Sequence, residues 1–305
     1  MGEDLEEGAC GAKGLAMEPW APFMSASAYS FTISQSINFQ LFLEDSMLSL
    51  AQKREFHEQG FIKVSGAVPK VTIDTALRAV NHSIGSVGLG GEDMENNRSA
   101  FFCAEQLEAP VILDLFNRTP VIDIAEEPMG KGNVLPMVTA KPYPRFPLPP
   151  GEDAPESRGH IDGIGSGTNG MAKGVYRRGF TAFAVVYLAD LLEANAGNFT
   201  VWPKSHRAYQ DYFKEVGHEV LANGMPRTEM PEGPVMAKGK AGDLILAHHQ
   251  ILHTGGPSAS PNVRHAVIAR LRHKDVAAIN YDAYTDIWRE WPGMSEVLLG
   301  QAEAG

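Results

Sequence analysis

Two histidines and one aspartate carry the chemistry for which this sequence can be read. In Gly159-His160-Ile161-Asp162-Gly163 an imidazole and a carboxylate stand two residues apart, with glycine on both sides. In an extended segment, side chains i and i+2 leave the same face, so both can reach one metal ion. A His-X-Asp pair by itself is a frequent chance pattern, and a third ligand has to come from elsewhere. His253, in Leu252-His253-Thr254-Gly255-Gly256, ends a strand-like run and precedes a glycine turn that lets backbone come close to a site. Two histidines and a carboxylate on one side of an ion make the facial triad suited to non-haem Fe(II), with positions left open for a cosubstrate and O2.

Eleven residues after His253 comes Arg264, early in Val263-Arg264-His265-Ala266-Val267-Ile268-Ala269-Arg270. The expectation is that the His253 and Arg264 runs form a hairpin, with their loop-proximal ends side by side. Arg264, Ala266 and Ile268 then share a face, and a guanidinium lies a few ångströms behind the metal. 2-Oxoglutarate needs such a group. Its keto acid end chelates Fe(II), and its distal carboxylate wants a permanently charged, bidentate donor.

The elements that position these residues can be read along the chain. Residues 1–30 are rich in Gly, Ala and Ser without periodicity and are expected to be a flexible tail. Residues 31–305 are expected to be one domain: 31–130 mainly helical, 131–275 a β core, 276–305 a helical end. A helical stripe from Ser46 stops at Gly60, and Phe61–Val64 reads as a strand. Helices follow from Pro69 to near Gly85, over 106–116 and over 121–129, with a Gly/Glu/Asn-rich loop at 86–100. Strands are expected over 134–140, 181–188, 199–202, 243–247 and 263–271. A helix is expected over 211–222 and a short one carrying Trp288 and Trp291 near the end. Helices first and strands afterwards point to an α+β chain whose strands build a sandwich or barrel.

Bulk properties exclude several classes. The 305 residues are 44% hydrophobic, enough for a sizeable core. A net charge of −11 argues against a nucleic-acid partner. Two cysteines, Cys10 and Cys103, make neither a disulfide framework nor a zinc site. No apolar run approaches the roughly 20 residues of a membrane span. With an acidic start lacking a secretory signal, the expected setting is cytoplasmic.

The chain resembles the phytanoyl-CoA dioxygenase-like family of Fe(II)/2-oxoglutarate oxygenases. The resemblance runs from about Leu48 to Leu271. It rests on the helix–Gly60–Phe61 entry, APVILDLFNRTPVIDIAEEPMG, the GHID segment, NAGNFTVWPKSHR, GDLILAHHQILHTGG and the Arg264 run. It implies a double-stranded β-helix, a cupin-like jelly roll with N-terminal and flanking helices. It implies His160, Asp162 and His253 as Fe(II) ligands and Arg264 as the 2-oxoglutarate anchor. Thr139 matches a polar position lining the cosubstrate. The position two after the distal histidine often carries a hydroxyl but is Gly255 here, so Thr254 or Ser258 is expected to substitute. Related halogenases have a small residue where Asp162 stands, so its carboxylate favours hydroxylation of a C–H bond, with release of succinate and CO2. The substrate is expected to be a small molecule. A cupin-like metal-binding protein without this catalysis is the alternative, and it would need no Arg264.

The remaining candidates have plainer readings. Lys173, Arg177 and Arg178 are read as a solvated basic face of a long loop, with an anionic substrate as the alternative. His248, His249, His265 and His273 are read as structural, and Lys204-Ser205-His206 as a barrel-closing turn. Trp288 and Trp291 either cover the pocket mouth or pack outside the barrel, and Tyr143 and Phe146 are candidates for its entrance.

Overall fold

The computed structural model describes residues 46–89, 102–167 and 169–302. The expected tail over 1–30 and most of the 86–100 loop lie outside these residues. Seven α-helices, α1 Leu50–Gln59, α2 Lys70–Ser86, α3 Pro110–Asn117, α4 Val121–Met129, α5 Ser205–Val216, α6 Val276–Ile279 and α7 Ser295–Ala302, accompany eight described strands. The strands are β1 Phe61–Val64, β2 Lys141–Pro142, β3 Ala182–Tyr187, β4 Phe199–Val201, β5 Val235–Met236, β6 Leu244–His248, β7 His253–Gly255 and β8 Ala266–Leu271.

The strands form two antiparallel sheets, one ordered β1-β6-β3-β8-β2 and one ordered β5-β4-β7. Residue parity decides which face each side chain joins. Ala184 and Val186 of β3, Leu244 and Leu246 of β6 and Val267 and Ala269 of β8 pack with α1–α4 in one core. Phe183, Val185 and Tyr187, with Ile245, Ala247 and Ala266, meet Phe199 and Val201 of the smaller sheet in a second core. β3 is therefore buried throughout, which explains its unbroken apolar sequence.

The entry is fixed locally. Ser49 and Gln52 make a reciprocal capping box on α1. Gly60 ends the helix with φ +81°, where a side chain is strained, and a Cβ there would lie 2.5 Å from the His206 ring.

Several expected elements differ. Residues 134–140 are not a strand: the segment is irregular, with a lone bridge from Val134 to His273. Asn117 takes both backbone groups of Met137 through its side-chain amide, and Pro136 offers no N–H to a ladder. The 211–222 helix starts earlier, at Ser205, and Gly217 separates it from a 3-10 turn over His218–Asn223. The expected terminal helix is broken. Trp288 and Trp291 lie in a turn, and α7 begins only after Pro292-Gly293. Both indoles pack against Phe56 of α1, with ring centroids 6.0 and 4.9 Å away.

Arg178 is not part of a solvated basic face. It is buried and forms a two-pronged ion pair with Glu290, both side chains 1% exposed, and also donates to the Asn280 carbonyl. Lys173 and Arg177 are exposed, as expected.

Breaking a buried pair strands a charge, so Glu290→Ala is expected to cost about 3–5 kcal/mol in urea unfolding. Arg178→Met with Glu290→Leu should recover most of that loss. A second consequence concerns pH. Burial, with the Arg207 charge, lowers the His57 imidazole to about 4. Burial lowers His248 to about 3, against its hydrogen bond to the Ile287 carbonyl. The unfolded chain therefore takes up these protons first, and stability falls as pH drops below about 6.5. Between pH 7.5 and 5.5 the loss should be roughly 1.4 kcal/mol for each of the two. Urea midpoints at the two pH values measure it.

Candidate metal and cosubstrate site

His160 and His253 are brought together by backbone. Each donates its N–H to the other's carbonyl, at 2.9 and 3.1 Å, although His160 lies outside the named strands. β7 is itself held by β4, with Val201 opposite His253. The turn before β7 is tied down by the Ser205 hydroxyl, which accepts from Leu252 N–H at 2.8 Å and donates to the Trp202 carbonyl at 2.6 Å. The imidazoles of the two histidines then lie 4.6 Å apart, centroid to centroid.

Asp162 completes the cluster. Its Oδ1 is 3.3 Å from His160 Nε2 and 3.7 Å from His253 Nε2. One donor atom from each of the three residues falls within 4.8 Å of the others. Ligands at right angles around an ion, each about 2.1 Å from it, lie about 3 Å apart, so the donor set fits a divalent ion. His253 Nδ1 is 3.1 Å from the Ile251 carbonyl, which assigns the proton to Nδ1 and leaves Nε2 bare toward the cluster. Phe183 and Phe199 pack against its ring at 4.4 and 5.6 Å. Burial acts to raise the Asp162 carboxyl. The hydrogen bond from His160 and the charges of His253, Arg270 and His160 override it and hold the group well below the usual carboxylate range.

Arg264 reaches the same interior by a route other than a hairpin. β7 belongs to the smaller sheet and β8 to the larger, so the chain crosses between sheets from His253 to Arg264. The 145 and 264 backbones exchange hydrogen bonds at 2.8 Å. The Arg145 side chain donates to the carbonyls of Gly255 and Gly256. These links lock the end of β7 against the start of the β8 run. A Cβ on Gly255 would lie 3.4 Å from Arg264 Nη2, so the missing side chain leaves room beside the guanidinium.

Arg264 is 1% exposed, and Nε, Nη1 and Nη2 all lack a hydrogen-bond partner among the described residues. Burial pulls its pKa down to about 10, against the favourable influence of Tyr187. The Tyr143 ring lies 5.8 Å from the guanidinium. A buried fork of five N–H donors without an acceptor is the complement of a carboxylate.

The other expected site residues lie elsewhere. Thr139 is exposed on the irregular segment ahead of β2. Thr254 pairs with Thr200 and, by alternation, faces away from His253 and Gly255. Ser258 is buried, and its hydroxyl has no partner among the described residues. His248 projects to the helix side of β6, where it stacks on Trp291, and Phe146 packs on Phe102. Gly159 and Leu252 flank the two histidines and belong to a cleft of about 600 Å³ that also includes Arg158, Tyr209 and Met225. Ile161 and Leu252 share an apolar cluster with Trp202 and Tyr209, so this cleft lies behind the ligand pair.

Arg270 was missed. Its Nε and Nη2 lie 2.7 and 2.5 Å from Asp162 Oδ2. Even spacing from Arg264 was the available signal, since it puts both guanidinium groups on one face of β8.

No protein-family model matches the chain, and no curated protein matches it by sequence. Solved structures do. EctD from S. alaskensis in its apo form aligns with a TM-score of 0.51 at 16% identity, over 75% of this chain and 78% of that one. The same protein with 2-oxoglutarate and 5-hydroxyectoine gives 0.51 at 17% identity, over 75% and 77%. The chain shares the EctD fold. The alignment covers three-quarters of each chain, enough to make the EctD likeness one of a whole domain.

A Cβ on Gly159 would lie 2.6 Å from Leu252 Cγ and 2.7 Å from the Trp202 ring. Gly159→Val should therefore displace the His160 segment at a cost of about 1–3 kcal/mol. Mn(II) affinity by calorimetric titration is expected to fall about tenfold or more, with the far-ultraviolet circular dichroism preserved. Unchanged affinity would mean that the segment accommodates the side chain.

Proposed function

We propose that this protein is an Fe(II)- and 2-oxoglutarate-dependent oxygenase that hydroxylates a C–H bond of a small molecule. The observation that carries the reading is the unpartnered, buried guanidinium of Arg264 in the same interior as the His160, Asp162 and His253 cluster. A metal-binding barrel with no cosubstrate has no need of that charge, and burying it without an anion is costly. The fold shared with EctD supports the reading, since one of those structures holds 2-oxoglutarate with a small organic molecule. On this reading the strands close as a cupin-like jelly roll, and the described residues belong to a single oxygenase domain.

His160, Asp162 and His253 would hold the iron, and Arg264 would pair with the distal carboxylate of 2-oxoglutarate. Iron bound there with the cosubstrate supplies the oxidising chemistry, coupling decarboxylation to succinate and CO2 with delivery of oxygen to the substrate. The protein's own residues orient and shield. The carbonyl of Ile251 fixes the His253 tautomer. Phe183 and Phe199 keep water from one side of the ligand, and Tyr143 packs the ring face of the cosubstrate anchor. With its carboxylate in place, Asp162 would serve as the third protein ligand where a halogenase has a small residue, which favours hydroxylation. A buried free Cys103 and the lack of a zinc or disulfide pattern support a reducing, cytoplasmic setting.

The deciding experiment is anaerobic titration of the Fe(II)-loaded protein with 2-oxoglutarate, followed through the visible charge-transfer band of the chelate. Arg264→Met is expected to keep metal binding and to weaken 2-oxoglutarate by about 30-fold or more, as for loss of one partner of a buried charge pair. The same variant, free of ligand, should be about 1 kcal/mol or more stabler, because a stranded cation has been removed. Absence of the band in folded, iron-loaded wild type would refute the oxygenase reading.

A further inference from the structure

We propose that Arg270 is a positioning residue that restricts Asp162 to coordination through one oxygen. The inference rests on the reading of His160, Asp162 and His253 as ligands. Both nitrogens of the Arg270 fork converge on Oδ2, at 2.7 Å from Nε and 2.5 Å from Nη2. The other oxygen, Oδ1, is the one that faces the two histidines, at 3.3 and 3.7 Å. The two oxygens of one carboxylate are thus divided, one given to a cation of the protein and one to the cluster.

This division matters because a carboxylate can bind a divalent ion through one or both oxygens. A facial triad leaves three of six positions free, and a chelating 2-oxo acid together with O2 needs all three. A second bond from Asp162 would occupy one of them. Holding Oδ2 on a guanidinium prevents that rotation without removing the ligand.

Arg270 is built for the task. It lies on β8 opposite Phe183 of β3, so the ladder sets its height above the cluster. Its guanidinium lies 5.7 Å from the Phe180 ring centroid and 5.9 Å from that of Phe183, two aromatic faces that restrain the fork. The side chain is half exposed, but its partner Asp162 is only 14% exposed, so the contact point is sheltered from solvent. Exposed ion pairs contribute little when both side chains are free to move, and here the shared acceptor oxygen and the two aromatic rings restrain the fork.

The test uses the full chain labelled with 13C-aspartate, and infrared difference spectra of Zn(II)-bound minus metal-free protein. A one-oxygen carboxylate ligand shows a wide separation between its two stretching bands, and a two-oxygen ligand a narrow one. Wild type is expected to show the wide separation, and Arg270→Ala and Arg270→Gln the narrow one. Arg270→Lys, which keeps one cationic donor on Oδ2, should restore the wide separation. In parallel, 2-oxoglutarate affinity of the Fe(II)-loaded Arg270→Ala protein should fall at least tenfold, with Arg270→Lys intermediate. A wide separation in both Arg270→Ala and Arg270→Gln with unchanged 2-oxoglutarate affinity would overturn the proposal. So would a narrow separation in wild type, which would leave the ligand assignment standing. A wild type that takes up no metal would remove the ligand reading itself, and this inference with it.

Discussion

The pair of backbone hydrogen bonds between residues 160 and 253 is the constraint on which the site depends. Two irregular or short segments, 93 residues apart in sequence, are locked at one register by it. Once that register is set, parity does the rest. His160, Asp162 and His253 turn to one side, and Ile161 and Leu252 turn to an apolar cluster behind. A slip by one residue would put leucine and isoleucine in place of the clustered side chains. Val201 opposite His253 and the Ser205 hydroxyl on Leu252 N–H guard against that slip. Gly159 lets Trp202 and Leu252 close over the segment from behind.

Charge is the second organising feature of this interior. Asp162 keeps its negative charge because a histidine hydrogen bond and nearby positive groups outweigh its burial. Arg264 has no hydrogen-bonding or acidic partner of that kind among the described residues. Its three nitrogens find no acceptor among the described residues, while nearby Arg145 spends its side chain on two carbonyls. A fold that buries Arg264 without an acceptor is less stable alone than with an anion, and ligand binding would recover that difference. Elsewhere the protein matches its buried charge internally, as with Arg178 and Glu290. That contrast is what the proposed cosubstrate role of Arg264 rests on.

The helices serve the site indirectly. α1 and the turn carrying Trp288 and Trp291 enclose His57, His206 and His248 beside the large sheet. Burial keeps these imidazoles neutral at pH 7, so they act as shaped apolar groups with one or two polar ends. The helices cover one face of the large sheet, while its other face carries buried Phe183 and the half-exposed Arg270 beside Asp162.

The sequence by itself determined the residue types of the candidate metal cluster, the i and i+2 spacing of His160 and Asp162, and the glycine that ends α1. It also determined the continuous apolar run of β3. These are local matters of residue chemistry and alternation. It misassigned 134–140, where the Asn117 side chain competes with a ladder, and Arg178, whose partner Glu290 lies 112 residues away. It brought Arg264 to the site by a hairpin that the chain does not make. Only the tertiary structure decided that β7 and β8 lie in different sheets, that Gly255 and not Thr254 faces Arg264, and that Arg270 holds one oxygen of Asp162. Each of these depends on which strand lies beside which. Pairing between distant segments is set by the packing of whole faces, which no local pattern of residues contains.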